Sequence, residues 1–168
     1  MRILMLGNSF TTANHMPDML DELTGAEIVQ HTRGGARLAE QLNPKTKMGK
    51  RTQEALQNEK WDFVILQEMS NGPITSKACF LENAEKLCEK IRENGAKPVF
   101  YATWAYQRGG KKLETFGMDY DEMYQKLYET YHLVADRNHT LIADVGKKFY
   151  LNEKLNSGFG PNARVNSI

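Results

Sequence analysis

The chain has 168 residues, with 22 Lys+Arg against 21 Asp+Glu and a net charge of +1 at pH 7. That length makes a single domain over residues 1–168 the expectation, able to bury roughly 70% of its unfolded surface. There is no basic stripe, acidic tail, leader-like start or apolar run near the ~18 residues of a membrane span, so nothing points to nucleic acid, a membrane surface or export, and a cytoplasmic protein is expected.

The first apolar run, Ile3-Leu4-Met5-Leu6, reads as a buried strand and ends in Gly7-Asn8-Ser9-Phe10. Residues 16–23 read as a helix, with Met16, Met19, Leu20 and Leu23 spaced along one face. A short second strand over 26–31 leads into Thr32-Arg33-Gly34-Gly35. Residues 38–42 form a helical turn ended by Pro44, and residues 50–58 form a helix. Phe63-Val64-Ile65-Leu66 is continuous and apolar, as a central parallel strand is. A long helix over 76–94 carries Phe80, Leu81, Ala84, Leu87, Cys88 and Ile91 on its apolar side and stops at Gly95. Cys79 and Cys88 on this helix lack zinc-ligand spacing and read as buried free thiols in a reducing compartment.

A fourth strand over 98–103 follows. The polar loop from Tyr106 to Gly117, containing Arg108-Gly109-Gly110-Lys111-Lys112, is either a lid or a surface excursion. A helix over 119–135 carries Tyr120, Tyr124, Tyr128 and Tyr131 at helical spacing, which reads as core or interface packing. A fifth strand spans 140–145, and beyond it the pattern weakens. The βαβ alternation predicts a three-layer α/β/α fold around a mostly parallel, flavodoxin-like five-stranded sheet.

Open α/β sheets bind ligands beyond the carboxyl ends of their strands. Small or polar residues collect at that edge: Asn8 and Ser9, then Gly34 and Gly35, then Gln67, Glu68 and Asn71, then Thr103 and Trp104. The chemistry such a set serves is acyl transfer, in which a serine attacks an ester carbonyl and preorganised N–H groups hold the oxyanion. Ser9 is the candidate nucleophile.

At this point the sequence resembles the SGNH, or GDSL-like, hydrolase superfamily. Residues 3–10 resemble its first block, with Asn8 where aspartate is usual. Thr32-Arg33-Gly34-Gly35 resembles its glycine block, and Val64-Ile65-Leu66-Gln67-Glu68-Met69-Ser70-Asn71 its strand-plus-asparagine block, with Met69 replacing the usual glycine and Gly72 the usual aspartate. The Gly-Asn-Ser-Phe start and the Leu-Gln-Glu strand end are similar to a bacterial branch of the superfamily. The resemblance covers roughly residues 2–146. It implies Ser9 as catalytic nucleophile and an oxyanion hole from Ser9, Gly35 and Asn71, with Gln67 a further candidate. The expected activity is esterase or acylhydrolase action on a short acyl, acetyl, ester, such as one on a carbohydrate.

The family's base is a histidine in a C-terminal Asp-x-x-His block, and no such block occurs here. The base therefore stays unknown. His31 ends strand two near the site edge and is a weak candidate; His15 reads as a helix-start residue, His132 as half-buried on a helix and His139 as lying at the opposite edge. Gly160-Pro161-Asn162-Ala163 has glycine where the block would carry histidine, and the terminal helix usual in such folds is not evident, so a C-terminally incomplete fold is expected. The competing expectation is a non-catalytic domain on the same scaffold, with Trp104, Tyr106 and the Gly-Gly-Lys-Lys loop lining a sugar-binding cleft. A nucleotide-binding protein is disfavoured, because neither glycine-rich phosphate motif follows strand one. No cofactor and no metal are implied. The expected partner is a small-molecule ester or glycan, and an unfinished edge would favour a homo-oligomer.

Overall fold

The computed structural model describes residues 1–158. Five parallel strands form one sheet in the order β2-β1-β3-β4-β5: β1 Arg2–Gly7, β2 Glu27–Thr32, β3 Phe63–Leu66, β4 Lys97–Tyr101 and β5 Leu141–Ala143. The first run does not alternate because both of its faces are covered. Leu4 and Leu6 enter the larger core with Val64, Leu66 and Phe100, while Ile3 and Met5 enter a smaller one on the other side.

The larger core is closed by α3 Leu38–Leu42, α4 Lys47–Asn58, α6 Lys77–Asn94 and α8 Tyr120–Arg137, through residues such as Leu56, Phe80, Leu87, Ile91, Leu127 and Tyr131. Across the sheet, α2 Met16–Thr24 sets Met16 and Leu20 against Ile3 and Met5. Met19 and Leu23, expected on the same buried stripe, are 46% and 83% exposed. Only the part of that stripe nearest β1 reaches the sheet.

The expected strands and helices are present, with shifted ends. Helix α4 begins three residues before the expected Lys50, because Thr46 Oγ1 accepts the Gly49 N–H at 3.0 Å and caps it. Cys88 is buried as expected, and burial pushes its thiol up to about 12. Cys79 is exposed instead. Nine residues are about two and a half helical turns, so the two thiols lie on opposite sides of α6.

Four short or late helices had no clear periodic signal: α1 Ser9–Thr12, α5 Gly72–Thr75, α7 Lys111–Phe116 and α9 Val145–Gly158. Helix α7 makes half of the loop after β4 helical and buries Leu113. Helix α9 corrects the expectation that no terminal helix follows β5. Its Leu151 and Leu155 point outward, so its sequence lacks an apolar stripe. Aromatic stacking seats it instead, with Phe149 4.7 Å from Trp104 and Tyr150 3.8 Å from Tyr124. The glycine-rich stretch 160–163 lies outside the described residues. No described helix is long and apolar enough to cross a membrane.

Candidate active site

The site is assembled where β1 and β3 end side by side, with Leu6 in register with Leu66. Gly7 closes β1 against this joint. A Cβ there would clash with Thr11 Oγ1 and come within 2.9 Å of Gln67 Oε1, so only glycine lets the strand run so close. Asn8 is 2% exposed and caps α1, its Oδ1 accepting the Phe10 N–H at 3.1 Å. Its Nδ2 donates at 3.1 Å to both Ala36 O and Glu68 O. One buried amide thus ties the nucleophile turn to the loop after β2 and to the loop after β3.

Ser9 stands next to this tie, exposed, as the first residue of α1. Its backbone N–H has no acceptor within the described residues, as is normal for the first turn of a helix. Gly35 lies one residue before Ala36, exposed, at φ 68°, a backbone conformation that favours glycine, and its N–H is likewise unpaired. Arg33 anchors this turn, donating to Gly34 O at 2.8 Å and pairing with Glu40. Asn71 opens α5, where its backbone oxygen accepts the Thr75 N–H at 2.9 Å. The Asn71 side chain makes no hydrogen bond with any described residue, leaving its Nδ2 free to donate.

Gln67, expected as a further oxyanion donor, is tied into the base of the site. Its Oε1 accepts from Asn8 N at 3.0 Å and from Thr11 Oγ1 at 2.9 Å, and its Nε2 donates to Glu68 O. One Nε2 hydrogen has no acceptor among the described residues, while the rest of the amide is a buried strut beneath the Ser9 turn. Glu68 was noticed only as a polar strand end, yet it is the second strut. It is 3% exposed, and its Oε2 accepts the Leu38 N–H at 3.0 Å, which fixes the segment just after Ala36. Gly72 packs on the same carboxyl, where an added Cβ would meet Oε1 at 2.7 Å. Burial raises the Glu68 pKa above the ordinary carboxylate value.

The histidines stand elsewhere. His31 is 3% exposed and bonds through Nδ1 to Thr52 Oγ1 of α4 at 2.9 Å, so it turns into the helix layer rather than toward Ser9. His15 pairs with Asp18 at 3.2 Å on the surface. His132 pairs with Asp144, the residue after β5, at 2.9 Å and lies against the Tyr128 ring at 4.0 Å. The carboxylate partner of His132 was missed in the sequence because twelve residues and a strand separate the two. β5 is three strands from β1, about 14 Å across the sheet. No hydrogen bond links Ser9 to a histidine among the described residues. No described cluster of His, Cys, Asp or Glu has the grouping to hold a metal ion.

Beside Ser9 the surface becomes aromatic. Phe10 stacks on Trp104 at 4.6 Å, and Trp104 on Phe149 at 4.7 Å. These rings, with Tyr106, Arg108 and Lys112, line a cleft of about 720 Å³. A second hollow of about 480 Å³ shares Tyr106, Lys111 and Lys112 and reaches Asn71. The Tyr106 hydroxyl bonds Ser70 Oγ at 2.9 Å, pinning the asparagine loop to the cleft wall. Trp104, Tyr106, Gly110, Lys111 and Lys112 of the expected sugar-binding cleft line the aromatic cleft, and Gly109 does not.

A capped, exposed serine after β1 of a five-stranded parallel sheet, with unpaired N–H donors on the two neighbouring loops, defines a serine hydrolase scaffold of the α/β/α type. Comparison with known structures narrows this. A protein of Slackia heliotrinireducens, described as "a putative SGNH hydrolase", is 53% identical, with a TM-score of 0.88 over 90% of this chain and 82% of that one. The acetyl xylan esterase AlAXEase shares the fold at 15% identity, with a TM-score of 0.64 over 94% of this chain and 84% of its own. An acetyl-xylooligosaccharide esterase from Geobacillus shares it at 13% identity and a TM-score of 0.60, over 93% and 80%. No family model matches the sequence, and no curated protein matches it either. The chain belongs to the SGNH hydrolase family.

Proposed function

We propose that this protein is a serine esterase of the SGNH type that removes a short acyl group, acetyl foremost, from a small ester or glycan in the cytoplasm. The observation that carries this reading is the grouping of three unpaired donors, Ser9 N–H, Gly35 N–H and Asn71 Nδ2, on the three loops that Asn8 and Glu68 tie together. Ser9 Oγ attacks the ester carbonyl carbon, the C=O π pair moves to oxygen, and the three donors hold the resulting oxyanion. Collapse of that intermediate expels the alcohol and leaves an acyl-serine, which water then hydrolyses. A base must take the Ser9 proton at attack and return it to the departing alkoxide, and no described histidine is hydrogen-bonded to Ser9. The aromatic cleft suits the flat apolar face of a sugar, which supports a carbohydrate as the alcohol part; acetyl xylan esterases share the fold.

The second reading is a domain that binds a glycan without turning it over. It is favoured by one observation, the lack of any hydrogen bond from Ser9 to a described histidine, while the cleft is fully formed. Labelling with a fluorophosphonate, read by intact mass, separates the two. The esterase reading expects one adduct on the wild type and none on Ser9→Ala, with hydrolysis of aryl acetates falling at least about 1,000-fold. A folded wild type that takes no adduct, yet binds xylooligosaccharide saturably both as wild type and as Ser9→Ala, selects the binding reading.

A further inference from the structure

His31 has a defined proton, and the residue lines a cavity separate from the aromatic cleft. The Gln41 amide is oriented by its own bonds, since Nε2 donates to His31 O at 2.9 Å and Oε1 is left as an acceptor. Thr52 Oγ1 lies 2.6 Å from that Oε1, so the threonine hydroxyl spends its one proton there. Thr52 can then only accept from His31, and the 2.9 Å contact requires the imidazole proton to sit on Nδ1. Nε2 is left as a bare lone pair, with no partner among the described residues. Burial and the neighbouring Arg51 hold the ring's pKa down at about 4 against the weaker opposing pull of Glu59, so the ring is neutral near pH 7.

The ring lines a cavity of about 240 Å³ at the carboxyl end of the edge strand β2, together with Thr32, Arg33, Lys47, Met48 and Arg51. Ser9 is not among its walls. Arg33 is neutralised by Glu40, but no described carboxylate pairs with Lys47 or Arg51. The cavity therefore offers two uncompensated cations at its mouth and, at its wall, one nearly buried nitrogen that can only accept. A carboxylate or a fully ionised sulfate would meet the cations but would turn an oxygen lone pair toward the lone pair of Nε2. An anion that keeps one hydroxyl satisfies both.

We propose that this cavity binds a phosphate group that retains one P–OH, with Arg51 and Lys47 facing its charged oxygens and the P–OH donating to His31 Nε2. Inorganic phosphate and a phosphomonoester share this chemistry. The site does not rest on the esterase reading: neither Ser9, Gly35 nor Asn71 lines it, although Arg33 belongs to the loop that carries Gly35.

The test uses the whole chain at about pH 5, where most of the phosphate keeps a proton and His31 stays neutral, and compares inorganic phosphate with sulfate by calorimetry and by the imidazole nitrogen signals of His31. The free protein is expected to show the Nδ1–H tautomer. Phosphate should shift the Nε2 signal saturably and bind at least about tenfold more tightly than sulfate, the worth of one hydrogen bond to a charged partner. Arg51→Ala, a change at an exposed position, should weaken phosphate about tenfold and leave the tautomer unchanged. Sulfate binding as tightly as phosphate, an Nε2–H tautomer in the free protein, or an Nε2 signal that phosphate does not move would each overturn the proposal. Methyl phosphate distinguishes the sources: binding equal to phosphate supports a monoester, and its exclusion supports the free ion.

Discussion

The two halves of the sheet hold their loops by different means. On the β2–β1–β3 side, buried polar side chains meet at fixed distances: His31 with Thr52 and Gln41, and Asn8 with Gln67 and Glu68. On the β4–β5 side, rings stack: Phe10, Trp104 and Phe149 in one series, Tyr120, Tyr150 and Tyr124 in another. A buried hydrogen bond fails steeply with a few tenths of an ångström, and an orphaned buried group costs about 1–3 kcal/mol. A stacked pair contributes about 1 kcal/mol and tolerates sliding. The half that carries Ser9 and the three candidate oxyanion donors uses the unforgiving contacts. The half that lines the aromatic cleft uses the tolerant ones.

Acidification tests the polar half most strongly. His31 binds its proton in the unfolded chain near 6.5 but in the folded protein only near 4, so between those values the unfolded state holds more protons and stability falls as the pH drops. The full effect is about 3 kcal/mol across the window, measurable as denaturation midpoints at stepped pH. Glu68 has the opposite sign: its raised folded pKa makes it stabilising at low pH, a contribution lost as the pH rises above the unfolded carboxylate value. His31→Asn should therefore do more than flatten the pH profile above about 4.5; it should reverse the slope. A profile unchanged in His31→Asn would show that the ring does not titrate as its burial requires.

Glu68→Ala should come next, costing about 2 kcal/mol, because the Leu38 N–H loses its acceptor inside the protein. Glu68→Gln keeps an acceptor oxygen and the side-chain volume and should recover most of that loss in the same denaturation experiment. Equal losses in both variants would mean that packing, not the hydrogen bond, carries the position.

In the aromatic half, Phe149→Ala should cost about 1 kcal/mol, since it removes one stack from a ring that is already half exposed. Trp104 emission should shift to the red as α9 loosens, while fluorophosphonate labelling of Ser9 stays unchanged. A loss of labelling in Phe149→Ala would erase the distinction between the two halves.

Much of this arrangement was legible before any coordinates. The apolar runs at 3–6 and 63–66 marked the central strands because both faces are buried, and the strand ends gathered Ser9, Gly35 and Asn71 at one edge. Gln67 was legible as a site residue but not as a strut, since the sequence does not say which way an amide points or what already binds it. Glu68 is legible only as a polar strand end, because a buried carboxyl that accepts a backbone N–H thirty residues away leaves no local signal. Helix α9 was illegible because aromatic stacking, not a single apolar stripe, seats it. The solvent position of Cys79 was the one feature that helical spacing could have supplied outright.

The tie between Asn8 and the β3 loop also sets an order in time. The first 58 residues contain Ser9, Gly35, α4 and all of β1, but neither Gln67 nor Glu68. A nascent chain emerging from the ribosome at that length carries the serine without either strut, and its turn has nothing to hold it. The Ser9 turn gains both struts only when β3 docks, so a chain of the first 58 residues holds the serine without them.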